Sequence, residues 1–124
     1  MSVFDWLLVA HLVGDFLLQT NEMARCKAQS WSWLLKHLGS YMIVMTVVLG
    51  AIAWTQAVPP WAAGCAWLLI GLTHVALDRR GFTRWWMGVI GISPDVVWLR
   101  IVVDQVFHIV ILAAAAQLLV LAGR

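Results

Sequence analysis

Histidine and aspartate recur one helical turn apart inside stretches that otherwise read as membrane-spanning helices. His11 is followed by Asp15, His74 by Asp78, and Asp104 by His108. An ionisable side chain in hydrocarbon is expensive, so such groups face the interior of a bundle and not lipid. Spans that carry them are expected to pack around a shared polar site. The fold class this predicts is all-α: an integral membrane bundle of about four transmembrane helices.

Composition agrees. The chain has 124 residues, 63% hydrophobic and 11% charged, with a mean hydropathy of +0.88. A soluble domain is about half apolar and about a quarter charged, and one of this size has no interior large enough for so much apolar surface. One domain over 1–124 is expected, with spans at about 3–20, 31–54, 61–78 and 94–121. At 1.5 Å per residue each crosses or nearly crosses the hydrocarbon. The first segment lacks a basic leader and is interrupted by His11 and Asp15, so it is expected to remain as a span. Ser93-Pro94-Asp95 reads as a helix start, with a serine cap, a proline and a first-turn acid. Trp85 and Trp86 beside Arg84 suggest a short interfacial helix at about 82–91, anchored among lipid headgroups. Cys26 and Cys65 fall at opposite ends of the spans and are expected to be free thiols.

The loops set an expected orientation. Arg25, Lys27 and Lys36 lie in or beside the first connection, and Arg79, Arg80, Arg84 and Arg100 in or beside the third. The second connection carries no charge. The positive-inside rule then places the first and third connections in the cytoplasm and both termini in the periplasm of an inner-membrane protein. The net charge of +2 resides in these anchoring residues, so no nucleic-acid partner is expected. Membrane lipid is the expected partner, with a homo-oligomer or a membrane-protein partner as further possibilities.

Residues four apart share a helix face. His11, Asp15 and Gln19 form one stripe, His74 and Asp78 a second, Arg100, Asp104 and His108 a third, and His37 with Tyr41 a weaker fourth. Depth adds to this. In the first and third spans the histidine precedes its aspartate; in the fourth, which runs the other way, Asp104 precedes His108. All three aspartates therefore lie nearer the cytoplasm, His37 lies near their level, and all three paired histidines lie deeper. Convergence on one cavity explains both the level and the order. Imidazole and carboxylate without thiolate suit Zn, Mn or Fe(II), and helical bundles build metal sites from such pairs. The expected ligands are His11, Asp15, His37, His74, Asp78, Asp104 and His108, enough for one ion or for two sharing a carboxylate. Gln19 and Gln105 are expected to support them. Arg79, Arg80 and Arg100 are placed to hold a substrate or phosphate head group.

The blocks HLVGDFLLQT, H74-x-x-x-D78 with the following arginines, and WLRIVVDQVFHI resemble domain-of-unknown-function family 3307. Its members are small bacterial and phage-encoded inner-membrane proteins. The resemblance covers nearly the whole chain, at His11, Gly14, Asp15, Phe16, Gln19, His37, His74, Asp78, Asp104, Gln105 and His108. It implies a polytopic membrane protein and carries no activity. The H-x-x-x-D pair is also similar to the transport-site motif of cation diffusion facilitators, whose extra spans and cytoplasmic domain this chain lacks.

Three functions suit these features. One is a metal-dependent membrane hydrolase acting on lipid or an interfacial substrate. Another is a metal or proton permease, although the outer halves of the spans offer little polar lining beyond Gln56 and Gln117. The third is a structural or interaction protein, such as a phage-encoded envelope or exclusion factor, in which small residues (the alanines at 113–116 and Gly50) pack helices and the polar cluster only fixes the fold.

Overall fold

A computed structural model describes all 124 residues. The chain is all-helical, without strands. Helix α1 spans Val3–Leu12 and continues into a π-helical turn at Val13–Leu17. Then follow α2 at Asn21–Cys26, α3 at Trp31–Thr55, α4 at Pro60–Asp78, α5 at Gly81–Val89 and α6 at Val97–Ala122. Helices α3, α4 and α6 are long and apolar enough to cross a membrane.

Local chemistry sets most of the boundaries. Ser2 and Asp5 form a reciprocal capping box at the start of α1: the Asp5 amide donates to Ser2 Oγ at 3.2 Å and the Ser2 amide to Asp5 Oδ2 at 2.6 Å. The Thr20 hydroxyl caps α2 by accepting from the Met23 amide. Pro60 occupies the first turn of α4, where its missing N–H costs nothing. Gly91, at φ 77°, turns the chain out of α5. The Ser93-Pro94-Asp95 sequence does not start α6. Ser93 Oγ instead accepts from the Asp95 amide two residues on, closing a turn, and the helix begins at Val97.

Helices α1, α3, α4 and α6 form a ring in which each packs against two others, α1 against α3 and α6, α4 against α3 and α6. Helices α1 and α4 run one way, α3 and α6 the other. One end of the bundle is apolar, centred on Leu7, Met45, Leu49, Ile70, Leu112 and Leu119. Ala62, Ala66, Ala115 and Ala116 are buried there and let the helices approach closely. Gly50, expected to share this role, has open space around it.

The surface is apolar where a soluble protein's is polar, and one end of the interior holds a polar cluster. Trp54 is 89% exposed, Leu72 69% and Ile43 68%, whereas His11, Asp15, Lys27, His37, His74, Asp78 and His108 are buried. Exposed apolar faces around a bundle that hides its ionisable groups suit a bilayer as the solvent. Short helix α5 packs against α4 and α6. It buries Thr83 and Met87 and leaves Phe82 and Trp85 exposed.

Candidate metal centre

The polar residues gather at the end of the bundle where α1 and α4 finish and α3 and α6 begin. The π turn packs against α3, with Gly14 close to Tyr41. A Cβ on Gly14 would stand 2.8 Å from Tyr41 Cδ2 and 3.2 Å from its Cα, so any larger residue would force the ring or the helices to shift. A π turn in this position is a common device for presenting a side chain at a site, and here it carries Asp15.

Four groups converge. His37 Nε2 lies 3.0 Å from Asp15 Oδ1, 3.1 Å from His74 Nε2 and 3.2 Å from Asp78 Oδ2. His74 Nε2 lies 3.2 Å from Asp78 Oδ2 and 3.9 Å from Asp15 Oδ1. Ligands about 2.0–2.1 Å from a tetrahedral ion stand about 3.3 Å apart, so these separations match the edges of a small metal's coordination shell. Carboxylate oxygens only accept, and an imidazole nitrogen without its proton does the same. Such a convergence calls for a shared proton or a cation among the four groups. Asp78 Oδ2 meets only the Nε2 atoms of His37 and His74, and the Nδ1 atoms of these two rings are buried and unpartnered. Nothing outside the group therefore holds these two rings to one tautomer.

A second group shares Asp78. One donor atom each of Asp78, Asp104 and His108 lies within 4.8 Å of the others. His108 Nδ1 donates to the Asp104 carbonyl at 2.9 Å. In the neutral ring that bond leaves His108 Nε2 as the lone-pair nitrogen, and it is buried and unpartnered. A metal-binding histidine usually has its other nitrogen fixed in this way. The Thr83 hydroxyl donates to Asp104 Oδ1 at 3.0 Å.

His11, expected as a ligand, lies outside both groups because both its nitrogens are engaged. Gln105 sets their polarity. Its amide nitrogen donates to Asp15 Oδ2 at 2.8 Å, since a carboxylate cannot donate in return. Gln105 Oε1 must then face His11 Nε2, at 2.9 Å, so that nitrogen carries the proton. His11 Nδ1 is left to accept from the Tyr41 hydroxyl at 3.0 Å. Tyr41 in turn stacks on His74, with ring centroids 3.7 Å apart. His11, Gln105 and Tyr41 thus hold Asp15 and His74 in place.

Lys27 is the residue that sequence reasoning missed, having counted it only as a loop charge. From the end of α2 its ammonium reaches Asp78 Oδ1 at 3.0 Å and Asp15 Oδ1 at 3.2 Å, with His37 Nε2 also at 3.2 Å. Thr83 was missed as well. Of the three arginines, Arg80 and Arg100 line a cleft with Asp15, Gln19, Asp104 and Gln105. Arg79 lies over the Trp31 ring, 4.6 Å from its centroid.

Fold and site together define a helical bundle suited to a membrane, with a buried His/Asp cluster at one end that could hold a metal ion. The chain belongs to the family described as "Protein of unknown function (DUF3307)", whose model matches residues 3–124. No curated protein and no solved structure matches it.

Proposed function

We propose that the protein is a metal-dependent hydrolase of the inner membrane, acting on lipid or another substrate at the cytoplasmic interface. In this reading α1 with its π turn is a short first span, α3, α4 and α6 are the other three, and α5 lies along the interface. The basic connections face the cytoplasm and both termini the periplasm. Asp15, His37, His74 and Asp78 hold one divalent ion, and Asp78, Asp104 and His108 a second that shares Asp78. The mixed imidazole and carboxylate donors favour Zn, Mn or Fe(II). A bound ion would act as a Lewis acid and lower the pKa of water toward neutrality. Asp15 and Asp104 belong to the donor groups and also line the cleft, so a substrate there reaches the site.

The observation that carries this reading is the meeting of four buried donor atoms, from α1's π turn, α3 and α4, at ligand-to-ligand distances. Elemental analysis of untagged, detergent-purified protein tests it. Two equivalents of metal are expected in the native chain, one in His108→Ala or in His74→Ala, and none in Asp78→Ala, which removes the ligand common to both groups. A folded, monodisperse native protein free of metal would refute the proposal.

One observation favours a second, non-enzymatic reading. The Lys27 ammonium already bridges Asp15 and Asp78, and it could itself be the cation that the carboxylates need. The cluster would then only fix the helices of a structural membrane protein, and native protein would purify without metal.

A further inference from the structure

The cleft beside the donor groups has a volume of about 200 Å³ and is lined on its polar side by Lys27, Arg80, Arg100, Asp15, Asp104 and Gln105. Three cations meet two carboxylates there. Lys27 is committed to Asp15 and Asp78. The two guanidinium groups are not committed: every ion pair in the chain is made by Lys27 or a histidine, none by an arginine. Arg100 spends one nitrogen on the Pro94 carbonyl at 2.8 Å, and its Nε is buried without a partner. Gln19 also lines the cleft, with its side-chain oxygen buried and unpartnered.

Arg80 is held at φ 60°, a left-handed conformation that costs any residue with a side chain. The chain places arginine there although glycine follows at the next position. A turn alone would be served better by glycine, so the side chain has a use.

Guanidinium forks match the paired oxygens of phosphate, and two of them beside an ammonium suit a multiply charged anion better than a single carboxylate. The cleft is smaller than the roughly 300–1,000 Å³ of pockets that enclose whole ligands, so it takes a head group. Its apolar lining residues Phe16 and Ile101 are about half exposed. They connect it to the outer apolar face, where Leu17 and Val97 are also exposed.

We propose that this cleft binds the phosphate of an amphiphile between Arg80 and Arg100, with the apolar chain leaving past Phe16 and Ile101. As the substrate class of a hydrolase this rests on the function proposed above; as a binding site it stands on the cleft alone.

Titration of the detergent-purified full chain with dihexanoyl phosphatidate, inorganic phosphate and dihexanoylglycerol, read by native mass spectrometry, tests it. The phosphatidate is expected to bind and dihexanoylglycerol not to. Arg100→Gln and Arg80→Asn are each expected to weaken phosphatidate at least tenfold while the protein stays monodisperse; asparagine tolerates the left-handed backbone, so the second variant keeps its fold. Inorganic phosphate that binds as tightly as phosphatidate would overturn the lipid assignment. Unchanged affinity in both variants, or equal binding of dihexanoylglycerol, would overturn the site. Metal content measured on the same samples separates the two proposals: metal-free protein that binds phosphatidate supports this inference and refutes only the metal enzyme.

Discussion

Replacing Gly14 with alanine would put a methyl carbon 2.8 Å from Cδ2 of Tyr41, 3.2 Å from its Cα and 3.4 Å from its Cγ. The ring cannot simply swing away. His74 is stacked on it at 3.7 Å, and its hydroxyl holds His11 at 3.0 Å. The Tyr41 Cα is main chain and yields only if α1 and α3 move apart. Overpacking of a filled interior costs about 1–3 kcal/mol, and with both a ring and a main-chain atom in the way about 2 kcal/mol is expected. Part of the strain should be relieved by displacing Tyr41, which would carry His74 with it. The assay is a double-mutant cycle by unfolding in micelles. Gly14→Ala should cost about 2 kcal/mol in the native background and roughly half that in Tyr41→Ala, where only the main-chain clash remains. A cost under about 0.5 kcal/mol in the native background, within the range of an inconsequential substitution, would refute the claim that this glycine sets the approach of the two helices.

Two further outcomes follow from single residues. Arg80→Gly relieves the left-handed strain of about 1–2 kcal/mol at an entropic cost of about 0.5–1 kcal/mol, so it should stabilise the protein by roughly 0.5–1 kcal/mol in thermal unfolding; a clear loss of stability would show that the side chain holds the turn together. Lys27→Met leaves two buried carboxylates without their ammonium and should destabilise metal-free protein by about 3 kcal/mol. Stability should return when Zn or Mn is added, and its failure to return would favour the structural reading of the cluster.

The three long helices were legible because long apolar runs admit few alternatives. The expected spans at 31–54 and 61–78 correspond to α3 at Trp31–Thr55 and α4 at Pro60–Asp78. The expected start at residue 94 slipped to Val97 because a serine can close a turn as readily as cap a helix, and which it does depends on the backbone around it. The π turn and the six-residue α2 had no signal in the periodicity. A helix that short forms only against a neighbour, and α2 packs against α3. The extra residue of the π turn accompanies the Gly14–Tyr41 approach, which joins residues far apart in sequence.

At the site, four-residue spacing pointed to most of the residues that converge, but not to which atoms face each other. His11 and Asp15 share a helix face, and nothing in that spacing distinguishes a candidate metal ligand from a group that orients one. The distinction comes from Gln105, 94 residues away. Its amide has a fixed polarity once Asp15 is ionised, and that polarity passes to the imidazole and on to Tyr41. Lys27 was hidden for a related reason. A lysine outside a span is ordinarily solvated, but its long stem can bury while the ammonium reaches a distant partner. Here the ammonium stands against Asp15 Oδ1, an oxygen that also faces His37 Nε2 and His74 Nε2. Ammonium and metal therefore draw on the same carboxylate charge. A metal that binds the native chain must loosen Lys27 from Asp15, so removing the lysine should tighten metal binding even as it weakens the metal-free fold. A merely structural cluster gives the second effect without the first.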